Sequence, residues 1–158
     1  MKRLLIVTLL LIPISVLAEP IYNGKVIHIS DGDTLKILVN NTPFKIRLSD
    51  IDAPEKGQHY GNKAKQALGN LVFGQRVMVV QGSTDSSGRI VGRVYLGNLD
   101  VNAWMVEQGH AWVDRKYSKD LTLYKLENKA KAARRGLWGS DLRVPPWEWR
   151  RNNGFLVN

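Results

Sequence analysis

The sequence predicts an α+β domain that is mostly β: a five-stranded barrel flanked by three α-helices. Three observations predict it. Five short runs rich in β-branched and apolar residues are bounded by turn residues. Three longer segments carry apolar residues at helical spacing and are punctuated by glycine or a capping side chain. The 158 residues contain no repeat, low-complexity tract or internal linker that would divide them.

The chain opens with Lys2 and Arg3, stays apolar from Leu4 to Leu17, and reaches Val16-Leu17-Ala18 before Glu19, the three-part layout of a secretory signal peptide. Residues 1–18 are therefore expected to be removed after Ala18 and the protein exported, to a periplasm or the medium. The apolar run is shorter than the roughly 20 residues a spanning helix requires, and no later segment is apolar enough to cross a membrane. The remaining 140 residues suit one monomeric domain over 19–142 with a tail over 143–158.

Strands are expected at Lys25–Ile29, Thr34–Val39 and Phe44–Leu48, with Asn40-Asn41-Thr42-Pro43 turning between the second and third. In the third, Phe44, Ile46 and Leu48 share one face, so Arg47 is on the other, toward open space or a cleft. A helix over Asn62–Phe73 places Ala64, Ala67, Leu68, Leu71 and Val72 at helical spacing and stops at Gly74. Strands resume at Arg76–Val80 and Ile90–Leu96. Asp100 caps a second helix running to Gly109, and Ser118 opens a third whose Leu123, Leu126, Ala130, Ala133 and Leu137 form an apolar stripe. A barrel of the OB type is the economical closure for five such strands, because it removes most exposed edges.

Net charge is +9, of which Lys2 and Arg3 contribute two, leaving +7 on the mature chain. That excess favours polyanions through counterion release, although a basic balance alone also fits an envelope-facing or merely soluble protein. The absence of cysteine excludes disulfides, thiolate metal sites, a cysteine nucleophile and a lipidated cysteine.

The chemistry is carried by Asp31-Gly32-Asp33-Thr34, Arg47, Asp52-Ala53-Pro54-Glu55 and Gly88-Arg89. Carboxylates hold a hard cation and arginines grip phosphate oxygens, which is what metal-assisted phosphodiester cleavage needs. Taken singly, each segment has a plainer reading. The two acidic tetrapeptides read as turns, Arg47 as a surface partner of Asp50 or Glu55, and Arg89 as a solvated hairpin residue. Their joint order and spacing favours a site.

The chain resembles the staphylococcal nuclease family from Val26 to Trp138. The resemblance is carried by Ile29-Ser30-Asp31-Gly32-Asp33-Thr34, Arg47-Leu48, Asp52-Ala53-Pro54-Glu55, Gly88-Arg89, Val101-Asn102, Gln108-Gly109 and Leu137-Trp138. It implies an OB-fold barrel with calcium-dependent phosphodiesterase activity on DNA and RNA. One Ca2+ ion would be ligated by Asp33, Asp52 and the Ala53 carbonyl, with Glu55 beside the attacking water and Arg47 and Arg89 on the scissile phosphate. At the substrate positions this chain carries Ser86, Ser87 and Arg115 where the family has lysine and tyrosines, while Tyr117 remains. The Lys56–His59 segment is a trimmed version of the family's loop.

Two carboxylates and a carbonyl are a partial shell for calcium, so an affinity of about 10⁻⁴ to 10⁻³ M is expected without substrate. An exported location would supply calcium at that level. The three histidines, His28, His59 and His110, have no partner spacing for a metal and read as surface or satisfied residues. In the tail, Pro145-Pro146-Trp147-Glu148-Trp149-Arg150-Arg151 reads as a proline-stiffened arm whose tryptophans cover the barrel; stacking on a single strand is the alternative. A nucleic-acid-binding module without catalysis is the other functional class, and the full acid and arginine set weighs against it.

Overall fold

The computed structural model describes residues 19–154. The expected signal peptide, residues 1–18, and the last four residues of the tail lie outside them. Five strands, β1 (Ile21–Ile29), β2 (Thr34–Val39), β3 (Thr42–Leu48), β5 (Arg76–Thr84) and β6 (Ile90–Leu96), form the barrel, joined in the order β3-β2-β1-β5-β6. It closes through a parallel pairing of β3 with β6, Ile46 opposite Ile90 and Arg47 opposite Val91. Three two-residue strands were not legible as periodic runs: β4 (Ile51–Asp52) and β8 (Trp112–Val113) pair with each other, and β7 (Leu99–Asp100) pairs with the end of β6.

Alternation drives the barrel. Leu35 and Ile37 on β2 and Ile46 and Leu48 on β3 are buried, as are Val77 and Val79 on β5 and Val94 on β6. The β2–β3 turn is only Asn40-Asn41, both with positive φ (47° and 64°), the conformation a two-residue hairpin requires and one that asparagine tolerates. The strand therefore begins at Thr42, two residues ahead of the expected Phe44.

Helix α1 (Gly61–Val72) lays Ala64, Leu68 and Val72 on the core. Helix α2 (Val101–Glu107) is capped by Asp100, whose carboxylate accepts from the Ala103 N–H at 2.9 Å. Helix α3 (Leu121–Ala132) begins three residues after the expected Ser118, because Asp120 is the stronger cap and accepts from Thr122 N at 2.8 Å. Its apolar stripe is shorter than expected. Leu123 and Ala130 are buried, but the chain leaves the helix at Arg134 and Gly136, both with positive φ, and Leu137 belongs to a separate 3-10 turn, Gly136–Gly139. A Cβ on Gly136 would come within 2.2 Å of the Gly109 carbonyl oxygen. That close approach lets Leu137 N donate to Gly109 at 2.9 Å and ties α2 to the 3-10 turn.

The three helices expected beside the barrel are present. A fourth, α4 (Pro146–Asn152), lies in the tail, where the sequence predicts a proline-stiffened arm. Pro146 at its first position needs no N–H partner and presets φ for a helix. No helix among the described residues is long and apolar enough to cross a membrane.

Candidate active site

The site forms where three parts of the barrel surface meet. The turn between β1 and β2 supplies Asp31 and Asp33, the outer face of β3 supplies Arg47, and β4 with the loop behind it supplies Asp52, Ala53 and Glu55. Gly32 permits the first of these. A Cβ there would sit 2.7 Å from that of Ala53 and 2.8 Å from that of Ala64, so only glycine lets the turn lie flat against β4 and α1. The β2–β3 register, Thr34 opposite Arg47, then delivers the guanidinium beside Asp33.

Arg47 bridges the two acids. Its Nη1 pairs with Asp33 Oδ1, and its Nη2 donates to Asp52 Oδ1 at 3.2 Å and to the Ile51 carbonyl at 3.3 Å. Asp33 Oδ2 accepts from the Ala53 N–H at 2.7 Å. Both carboxylates are almost wholly buried, with Asp33 3% and Asp52 1% exposed. Asp52 is further held by Arg150 of α4, whose Nη2 donates to Oδ2 at 2.7 Å and whose Nη1 donates to Oδ1 at 3.1 Å. The same Nη1 donates to Glu55 Oε1 at 2.6 Å. Asp33, Asp52 and Glu55 are thus gathered around two guanidiniums.

The electrostatics follow from that crowding. Burial, with the Asp33 charge next, pushes Asp31 up to about 7. Burial also holds Asp52 above its ordinary value, and the Arg150 hydrogen bonds pull against that rise. The negative charge of Asp33 keeps the Arg47 guanidinium firmly protonated. Arg47 and Arg150 compensate the buried charge of Asp33 and Asp52; as hard oxygen donors bridged by one guanidinium, the two carboxylates also suit a divalent ion. Among the described residues no three His, Cys, Asp or Glu side chains converge as a complete metal cluster. Two carboxylates therefore fit a shell finished by water and phosphate oxygens.

Arg89 lies elsewhere. It immediately precedes β6, and its Nε donates to Asp85 Oδ2 at 2.6 Å within the β5–β6 hairpin. Ser86 and Ser87 form the exposed tip of that turn, with Ser87 N donating to Asp85 at 2.9 Å. Arg115 pairs with buried Glu127 and lies 4.8 Å from the Tyr124 ring centre. Tyr117, 67% exposed, has the Lys116 ammonium over its ring at 5.0 Å. His28 and His59 are exposed, and His110 Nδ1 is bonded to Tyr60 Oη at 3.1 Å.

Two residues of the cluster escaped the sequence reading. Asp31 lies in the Asp31-Gly32-Asp33-Thr34 turn, where its sequence context does not set it apart from an ordinary turn aspartate. Arg150 sits 98 positions from Asp52, and its only signal was membership of the Trp/Arg tail. Packing brings it in: Trp147 stacks edge-on against Trp112 at 5.7 Å, Trp112 is the β8 partner of Asp52, and Arg150 is on the Trp147 face one turn later.

Residues 45–140 match the family model described as staphylococcal nuclease homologue. The chain is 40% identical to a micrococcal nuclease of Shigella flexneri, over 92% of this chain and 90% of that one. It is 42% identical to an uncharacterized endonuclease of Escherichia coli, over 81% of this chain and 84% of that one. A probable staphylococcal-like nuclease of Oryza sativa subsp. japonica is 38% identical over 81% of this chain, which spans a third of that longer protein. With a closed five-stranded barrel carrying Asp33, Arg47, Asp52 and Glu55 on one face, the chain belongs to the staphylococcal nuclease family.

Proposed function

We propose that this protein is an exported, calcium-dependent, sugar-nonspecific nuclease that hydrolyses phosphodiester bonds of DNA and RNA by water attack and leaves 3′-phosphate ends. The observation that carries it is the bridge of the buried acids Asp33 and Asp52 by the Arg47 guanidinium, with Glu55 tied to Asp52 through Arg150. The basic excess, +7 once Lys2 and Arg3 are removed, favours a polyanionic substrate.

Asp33, Asp52 and the Ala53 carbonyl would hold the ion, which supplies Lewis-acid polarisation of the phosphate. Arg47 neutralises charge growing on the equatorial phosphate oxygens, with Arg89 joining it after exchanging Asp85 for phosphate. Glu55, about a third exposed at its side chain, is more open to water than Asp33, Asp52, Arg47 or Arg150 and orients the nucleophile.

The test is digestion of single-stranded DNA, duplex DNA and RNA with calcium, with magnesium and with chelator, alongside Glu55→Gln. Calcium-dependent cleavage of all three, lost in the variant, is expected. Binding of nucleic acid with no cleavage under any condition would sink the proposal and favour a binding module.

A further inference from the structure

The tail helix does more than cover apolar surface. Pro146 is buried, Trp147 packs on Trp112, and Gln58 clamps the approach to the helix: its amide donates to the Val144 carbonyl at 2.6 Å while its Oε1 accepts from the Glu55 N–H at 2.9 Å. Residues 144–150 are therefore fastened to the loop that carries Glu55. The outcome is a guanidinium with three charge-assisted hydrogen bonds to Asp52 and Glu55.

We propose that Arg150 is a tethered counter-cation of the active centre that competes with the divalent ion for Asp52, so that α4 sets how much metal the site demands. This rests on the assignment of Asp52 as a metal ligand. Both Asp52 oxygens already accept from Arg150, and Oδ1 also accepts from Arg47. An ion arriving at this carboxylate meets a fixed positive charge within hydrogen-bond distance of its ligand. Two cations that exclude each other at one carboxylate are negatively coupled, and the coupling is reciprocal: what weakens the ion by occupancy of Arg150 must also loosen Arg150 when the ion binds. Releasing Arg150 also frees Glu55 Oε1.

The experiment compares calcium binding to the full-length chain, Arg150→Gln and Arg151→Gln by isothermal titration, with no nucleic acid present. Arg151, exposed and next along the same helix, removes the same net charge without touching the acids. Arg150→Gln is expected to bind calcium at least about fivefold more tightly, the lower edge of ordinary coupling, and Arg151→Gln to stay near the parent. In the parent, saturating calcium is expected to speed hydrogen exchange at the α4 amides. Unchanged affinity in Arg150→Gln, or α4 amides that exchange no faster with calcium, overturns the competition while leaving the metal assignment standing. Absence of calcium binding by all three proteins overturns both.

Discussion

Asn102 shows how much of the site depends on a residue that takes no part in chemistry. It is fully buried at the start of α2, its Oδ1 accepting from Val94 N at 3.0 Å and its Nδ2 donating to the Ser49 carbonyl at 2.9 Å. One carboxamide thus joins β6 to the turn leading into Ile51 and Asp52. Asn102→Ala strands one buried donor, the Val94 N–H, and one part-buried acceptor, the Ser49 carbonyl. At about 1–3 kcal/mol for each such group, a loss of about 3 kcal/mol is expected, a large part of the about 5–15 kcal/mol that holds a domain together. With a urea slope of about 1–3 kcal/mol per molar, the unfolding midpoint read by tryptophan fluorescence should fall by about 1–3 M. Asn102→Asp should be worse, since a carboxylate oxygen would face the Ser49 and Gly92 carbonyls that Nδ2 now serves. A loss below about 1 kcal/mol in Asn102→Ala would refute the view that this side chain braces β4.

Other outcomes follow from individual contacts. Arg89→Lys should lose about 10³-fold in turnover, as for removal of a phosphate-clamping arginine, with the unfolding midpoint little changed; near-normal kcat would remove Arg89 from the phosphate. Gly61→Ala should cut activity sharply, because its Cβ would fall 2.0 Å from the Glu55 carbonyl oxygen and force that loop outward; parent-like kinetics would show the loop position to be unimportant. Glu127 is held below the ordinary glutamate value of 4.5: burial pushes it up, but Lys131, Arg115 and the Val113 N–H outweigh that. Its contribution is therefore complete above about pH 4.5 and lost as pH falls through the lower folded value. Glu127→Gln should flatten the acid side of the stability profile, and an unchanged acid limb between parent and variant would contradict this.

Alternation and capping carried most of the fold into the sequence. Phe44, Ile46 and Leu48 announce a strand with Arg47 on its outer face, and Asp100 announces a helix start. The limits of β6 agree with the expected Ile90–Leu96. The two-residue strands β4 and β8 were beyond reach, because a pair of residues has no period to detect and exists only through its partner. The break after Ala132 was hidden likewise, since the positive φ of Arg134 and Gly136 answers to the contact with Gly109.

The site divides along the same line. The primary structure by itself singled out Asp33, Arg47, Asp52 and Glu55 as candidates, because carboxylates, guanidiniums and the turn residues presenting them are local properties of short motifs. Tertiary structure alone decided how they are paired: Arg47 spans Asp33 and Asp52 instead of Asp50, Arg89 is held by Asp85, and Arg150 arrives from the far end of the chain. Pairing is a matter of distance in space, and distance between residues 98 positions apart is set by barrel closure and by the stacking of Trp147 on Trp112.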